Sequence, residues 1–388
     1  MGFVAIKLLY RLCQRVQKIV QRRWAMSSWK ECKLGDIATY RTGKLNSNAA
    51  TENGEYPFFT CSPITAKIDN FAFDEEALLL AGNNANGIFS LKYYQGKFNA
   101  YQRTYVINTA EDYKFLFYSL KLQLANLMHM SQGTATKFLT LPILNSIEIS
   151  LPPLEEQKAI AEVLSSLDDK IDLLHRQNQT LESLAQTLFR QWFIEEVKEE
   201  WEEKPLSKIA DFLNGLACQK FPPQNHIDKL PVLKIKDLKD GISENSDYAT
   251  SDVKPEYIVN NGDVIFAWSA SLMVKIWDGE QCVLNQHLFK VTSKDFPKWF
   301  YYHWCKYHLD NFIAISSAHA TTMGHIKRGD LDEAMCVIPS SEELVKMDDE
   351  ISPIFEKIET SSRQIKSLEK MRDTLLPKLL SGEVRVSL

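Results

Sequence analysis

The 388-residue chain is 45% hydrophobic, 11% aromatic and 24% charged, an ordinary globular composition that excludes disorder, collagen and coiled coil throughout and leaves room for two or three domains. Its net charge of −5 comes from 45 Lys and Arg against 50 Asp and Glu, so it is not a uniformly basic nucleic-acid binder, and any field for DNA must be local or supplied by partners. No apolar run approaches the ~18 residues of a membrane span, and seven cysteines, never closer than 19 positions, contain no CxxC and read as reduced thiols in a cytoplasmic protein.

Residues 1–26 carry six basic and no acidic residues, with Leu8, Leu12, Val16 and Ile19 at helical spacing. They lack a clean apolar core and small-residue cleavage site, so they read as a basic extension rather than a signal peptide. Residues 27–153 form a first globular domain, with strands at Ala77–Ala81 and Thr104–Ile107 and a helix over Tyr113–Met130. In the segment 154–198, Ile160, Leu164, Leu167, Ile171, Leu174, Asn178, Leu181, Ala185, Leu188 and Trp192 alternate steps of four and three, the a/d pattern of a long packed helix. A second globular domain, 199–339, has strands at Val264–Trp268 and Leu288–Val291 and a helix over Pro297–Ile315. The segment 340–388 repeats the seam, through Met347, Ile351, Ile354, Ile358, Ser361, Ile365, Leu368, Arg372, Leu375 and Leu379. Each helix is ~40 residues, hence ~60 Å. Ser340 and Ser341 ahead of Glu342 and Glu343 cap the second, Pro377 ends or kinks it, and Gly382 stops it.

The chain is an internal repeat. Trp29, Leu34, Ile37, Ala38 and Gly43 recur 172 residues later as Trp201, Leu206, Ile209, Ala210 and Gly215. Tyr101-Gln102-Arg103 faces Asn285-Gln286-His287 at +184, and Leu151-Pro152 faces Ile338-Pro339 at +187. The fold class that follows is α+β: two similar α/β domains joined by two long antiparallel helices in a pseudo-twofold arrangement. That symmetry sets Asn178 opposite Ser361 and Leu174 opposite Ile365 in the seam.

Four segments carry a family resemblance: Trp29–Gly43 with Leu-Gly-Asp-Ile; Gly133–Asp172 with Leu-Pro-Pro-Leu-Glu-Glu-Gln-Lys-Ala-Ile; Asn260–Leu272; and the tail from Arg372, with Leu-Leu-Ser-Gly382. Over nearly all of Ser27–Val386 the chain resembles the specificity subunit of type I restriction–modification systems. It departs at Leu344, where the family often has Gln, and at Ser207-Lys208, where the first copy has Gly-Asp. The resemblance implies two target-recognition domains, each reading one half of a bipartite double-stranded DNA target, with the helices as spacer and docking surface for two methyltransferase subunits. S-adenosylmethionine would belong to those subunits, and ATP and Mg to the restriction/translocation subunits, with no cofactor on this chain. The alternative is a coiled-coil scaffold or protein-binding adaptor without DNA specificity.

The residues carry no catalytic constellation. There is no G-x-x-x-x-G-K-[ST], no Rossmann glycine pattern and no Asn/Asp-Pro-Pro-aromatic block, since Phe221-Pro-Pro-Gln224 lacks its polar first residue and stacking aromatic. His303, Cys305 and His308 do not share the helical face a metal site wants. The DNA-binding candidates come in paired segments. Asn83, Asn84 and Asn86 in a glycine-bounded loop face Trp268, Ser269 and Ser271. Tyr101, Gln102 and Arg103 face Asn285, Gln286 and His287. Thr134, Thr136 and Lys137 face His319, Thr321 and Thr322. Asn, Gln and Arg have the donors and acceptors to read base edges. Arg41, Lys44, Lys220, Lys327 and Arg328 are basic candidates nearby. Residues 154–203 carry 5 basic and 13 acidic residues, a face suited to a basic partner surface rather than to DNA.

Overall fold

The computed structural model describes residues 29–85, 87–131, 136–225, 227–318 and 324–386. The basic extension and the candidates Asn86, Thr134, His319, Thr321 and Thr322 lie outside the described residues. The chain divides into two compact units, one comprising the chain up to Asp172 with Ser367–Leu388, the other Leu173–Lys366. Each therefore holds one globular domain and part of both long helices.

In the first unit, Lys30–Lys33 pairs antiparallel with Glu148–Leu151, immediately before the long helix Leu154–Arg190. The body is a six-stranded sheet in the order Ala38–Thr42, Thr104–Thr109, Phe73–Ala81, Leu91–Ala100, Tyr56–Phe59, Ala66–Ile68. All neighbours are antiparallel except Phe58–Phe59, which runs parallel to Asn99–Ala100. Ala77–Ala81 is buried on both faces, which is why it reads as an unbroken apolar run. The helix Tyr113–Met130 starts at Asp112, whose carboxylate accepts the Phe115 N–H at 2.8 Å. Its Phe115, Leu116 and Leu120 share one core with Leu78 and Ile107 of the sheet and Ile160, Leu164 and Leu379 of the long helices.

In the second unit, Glu202–Pro205 pairs with Met335–Ile338 ahead of the second long helix, Ser341–Leu380. The sheet here is split. One half is ordered Asp211–Asn214, Leu288–Thr292, Val264–Ala267, Met273–Ile276, the other Tyr248–Thr250, Lys229–Leu233, Cys282–Leu284, Ile258–Val259. The split falls where Met273–Ile276 and Cys282–Leu284 replace the single strand Leu91–Ala100, with the buried Trp277 between them. The helix expected over Pro297–Ile315 is two, Lys298–Tyr307 and Leu309–Ala318. His308 interrupts it, its ring stacked on Trp304 and its Nε2 at 2.9 Å from the Met335 carbonyl.

The long helices are antiparallel within each unit. In the first, Arg385 Nη1 donates to both carboxylate oxygens of Glu156 at 2.8 Å, and Arg372 Nη1 donates to Asp168 Oδ1 at 2.9 Å. In the second, Asn178 meets Ser362, and Ala185 and Phe189 share a core with Ile351 and Phe355. Ile160, Leu164, Leu167, Ile171, Leu174, Ile351, Ser361, Ile365 and Leu368 are buried, while Leu181, Leu188, Ile354, Ile358 and Leu375 are half-buried.

Two expectations shift. Asn178 Nδ2 donates to Ser362 Oγ at 3.2 Å instead of to Ser361, leaving Ser361 Oγ and Asn178 Oδ1 buried without partners. A heptad drifts by ~20° against a straight helix, and one residue turns a side chain by ~100°, so counting from an assumed axis misplaced the pair by one position. Pro377 does not end the second helix, which runs on to Leu380 and closes with Ser381 N–H on the Pro377 carbonyl at 3.0 Å. Gly382, at φ +72°, terminates it as expected. The helix start is a reciprocal cap: Ser340 Oγ accepts the Glu343 N–H at 3.4 Å and Glu343 Oε2 accepts the Ser340 N–H at 3.1 Å. Lys198, Ser340 and Trp201 also bond Glu343 and hold its carboxyl down at about 2.

Candidate nucleic-acid interface

The repeat extends to individual main-chain hydrogen bonds. In the first unit, Gly82 N–H donates to the Arg103 carbonyl at 2.7 Å and the Gly82 carbonyl accepts Leu139 N–H at 2.9 Å. In the second, Trp268 N–H donates to the His287 carbonyl at 3.4 Å and the Trp268 carbonyl accepts Ile326 N–H at 3.1 Å. Gln102 N–H bonds the Leu45 carbonyl at 2.9 Å, and Gln286 N–H the Leu216 carbonyl at 2.8 Å. Turns close by Thr104 N–H on the Tyr101 carbonyl and Leu288 N–H on the Asn285 carbonyl, so Gln102-Arg103 and Gln286-His287 are the two middle residues of matched turns. Gly43 and Gly215 are required here, because a Cβ would lie 1.6 Å from the Ala100 carbonyl oxygen in one unit and 2.3 Å from that of Asn285 in the other.

This frame brings part of the candidate set together. In the first unit, Asn83–Asn84 pairs with Lys137–Phe138 as a short antiparallel ribbon, and Arg103 lies over the Phe138 ring at 5.6 Å. The Cys61 thiol donates to Asn83 Oδ1 at 2.9 Å. Thr136, half-buried, leads into the ribbon. Gln102 bonds Asn46 Oδ1 at 2.7 Å, and Tyr101 is half-buried beside Leu45. Arg41 stands on the strand Ala38–Thr42, paired with Glu75 and bonded to Asn108 at 2.7 Å. With exposed Lys44 it lines a different cleft, alongside Phe71, Phe73 and Asn99.

In the second unit, Ser269 Oγ lies 3.2 Å from His287 Nδ1, and Gln286 Nε2 is 3.4 Å from His287 Nε2. Trp268 donates to Asn214 Oδ1 at 3.2 Å, stacks on Phe289 and meets His325 edge-on. Asn285 is buried and its Oδ1 accepts the His287 N–H at 3.2 Å, a turn-forming role. Ser271 is exposed beyond Ala270, whose φ of +57° turns the chain. Lys220 ends the turn Cys218–Lys220, and Lys327 and Arg328 open the short helix Arg328–Glu333, all three exposed.

Phe138, Cys61, Asn214 and His325 join these clusters without having been anticipated. One signal was available: Leu139 and Ile326 are 187 apart, the offset already seen in the Pro motifs, and one step back sets Phe138 opposite His325. Among the described residues no group of three or more His, Cys, Asp or Glu could hold a metal ion, and no helix is long and apolar enough to cross a membrane. His303, stacked on Phe189 at 5.2 Å, is pushed down to about 3 by burial and stays neutral.

Duplicated sheet domains with a polar tip, each carried on a shared helical pair, define a two-part recognition module without a metal centre among the described residues. The family model for the type I restriction modification DNA specificity domain matches residues 26–183 and again 198–370, and the chain belongs to that family. It is 30% identical over 300 residues to the type I restriction enzyme MjaIX specificity subunit of Methanocaldococcus jannaschii, covering 71% of this chain and 69% of that one. The MjaVIII specificity subunit of the same organism is 26% identical, with 92% and 93% covered. Against the Escherichia coli EcoDI specificity subunit identity is 42%, over 36% of this chain and 31% of that one. The fold matches the crystal structure of the S subunit of the type I restriction-modification system from M. genitalium, with TM-score 0.62 at 16% identity, covering 93% and 98%. The protein is accordingly a DNA-recognition subunit of the type I restriction–modification class.

Proposed function

We propose that each unit reads one half of a bipartite target on double-stranded DNA and that the two long helices set the spacing and dock two methyltransferase subunits. The chain itself carries no chemistry in this reading. S-adenosylmethionine is used by the methyltransferases, ATP and Mg by the restriction/translocation subunits, and the complex works in the cytoplasm. The domain bounds are those of the repeat: 27–153 and 199–339 as readers, 154–198 and 340–388 as helices.

The observation that carries this reading is the repeated main-chain frame with unlike side chains at its tip. Arg103, Asn83 and Phe138 in one copy stand where His287, Ser269 and His325 stand in the other. Two readers sharing one main-chain frame but carrying different polar groups are suited to two different half-sites. The test is to replace residues 27–150 with those of another family member, co-express the hybrid with its methyltransferase and map the methylated motif. One half of the motif should change and the other persist. If both halves change together, or neither, the two-reader model fails.

A further inference from the structure

Within the first reader, Arg103 differs from every other cation near it. Arg41 is spent on Glu75, and Lys137 offers only a point charge. Among the described residues no carboxylate pairs with Arg103. It is exposed, at the middle of the turn Tyr101–Thr104, with its backbone pinned because its carbonyl accepts Gly82 N–H at 2.7 Å. Its guanidinium lies over Phe138 at 5.6 Å, and Phe138 is fixed in turn by its pairing with Asn83. A planar fork of donors, free of any acid and laid on an aromatic ring, is preorganised for a two-pronged acceptor. In a major groove that acceptor is the O6/N7 edge of guanine. At the matched position of the second reader stands His287, engaged with Ser269, whose ring cannot make that fork.

Resting on the two-reader function above, we propose that Arg103 is a specificity-determining residue that reads a guanine in the half-site of the first unit, and that Phe138 is the positioning residue that holds its guanidinium plane. The experiment is to co-express the full chain with its methyltransferase subunits and to sequence methylated bases genome-wide for wild type, Arg103→Ala, Arg103→Lys and Phe138→Ala, with a thermal melt of each variant. Arg103→Ala should relax one G·C position of one half-site, with discrimination there falling roughly ten- to a hundred-fold, and leave the other half untouched. Arg103→Lys should relax the same position, because an ammonium has no fork, and Phe138→Ala should relax it less.

Arg103→Lys retaining the wild-type motif while Arg103→Ala weakens methylation evenly at all sites would make Arg103 a phosphate contact and overturn the proposal. A wild-type motif with no G·C pair in the half that moves when residues 27–150 are exchanged would overturn it as well. If Arg103→Ala melts early or abolishes methylation, Arg103→Lys and Phe138→Ala decide, and an intact motif in both is a refutation. A wild-type complex with no bipartite motif at all sinks the underlying function, whereas a bipartite motif unaffected by these variants sinks only the assignment of Arg103.

Discussion

The two units share a main-chain frame but differ in how each globular domain is seated on the long helices. In the first unit the seat is polar: Tyr118 donates to Asp168 Oδ2 at 2.8 Å and Arg372 closes on the same carboxylate. Under the repeat offsets these three positions are Tyr302, Phe355 and Ala185 in the second unit, where a cleft of about 290 Å³ opens beside His303 and Trp277 and the polar contacts sit elsewhere, Lys298 on Glu359 at 2.8 Å and Trp299 on Asp348 at 2.7 Å. The end of the helix differs too. Leu376, Leu379 and Leu380 pack the first unit, while Phe189, Trp192 and Phe193 pack the second together with Trp201, Trp299, Phe300 and Trp304. Even the frame stretches slightly: at Gly82 a Cβ would sit 2.6 Å from the Arg103 carbonyl oxygen, whereas Trp268, with a side chain, holds the same bond at 3.4 Å instead of 2.7 Å. Main-chain hydrogen bonds are largely indifferent to side-chain identity, so the frame outlasts divergence. Cores and seats diverge in sets, because a buried group tolerates change only when its partners change with it.

The aromatic knot is the sharpest point of that contrast. Phe193, 1% exposed and against six other aromatic rings, should cost about 3–5 kcal/mol when changed to Ala. Leu380, its counterpart in the first unit and 7% exposed, should cost about 2 kcal/mol. Urea denaturation, with hydrogen exchange to assign the loss to a unit, measures both. Equal costs, or the same amides deprotected by both changes, would mean that the two packings are energetically equivalent.

Acid should separate the units next. His303 is neutral in the folded second unit, held down to about 3, whereas the unfolded chain protonates at ~6.5. Stability from this group is full above ~6.5 and falls as pH drops from there towards 3, by up to about 1.4 kcal/mol per pH unit. Its counterpart in the first unit is Ser119, which does not titrate and bonds the Phe115 carbonyl at 3.0 Å. Exchange protection between pH 7 and 4 should therefore decline faster in Leu173–Lys366, and His303→Leu should flatten that decline. An unchanged slope in the variant would show that another group drives it.

The smallest effect concerns the helix seam. Ser361 is fully buried and its hydroxyl has no partner, so Ser361→Ala should leave stability unchanged or raise it by less than ~1 kcal/mol. A loss above that range in thermal melts would reveal a bond at Ser361 and restore the pairing with Asn178 that symmetry suggested.

The plan that the two units share was legible in the sequence. The a/d spacing located both long helices, because a buried stripe on a helix has to recur every three or four residues. The offsets of 172, 184 and 187 located the repeat, and they turn out to connect equivalent hydrogen bonds, as with Trp29 on Glu156 and Trp201 on Glu343. The site was legible only in part. Arg103 and His287 announced themselves as polar groups at matched places, but Phe138 and His325 belonged to no motif. What makes them part of the tips is pairing between strands distant in sequence, Asn83 with Phe138 and Ser269 with His325.

The sequence by itself determined the two-copy plan, the helix seam and the class of protein, since periodicity, internal offsets and short motifs are properties of the order of residues along one chain. Only the tertiary structure decided which cations are free and which are spent, that Asn178 bonds Ser362, that the second sheet splits at Trp277, and that the ionic cluster at Tyr118, Asp168 and Arg372 in the first unit has a different counterpart, Lys298 on Glu359, in the second. Those outcomes depend on which side chains meet across long loops within a few ångströms, and both the strength of an ion pair and the reach of a hydrogen bond fall away over that distance.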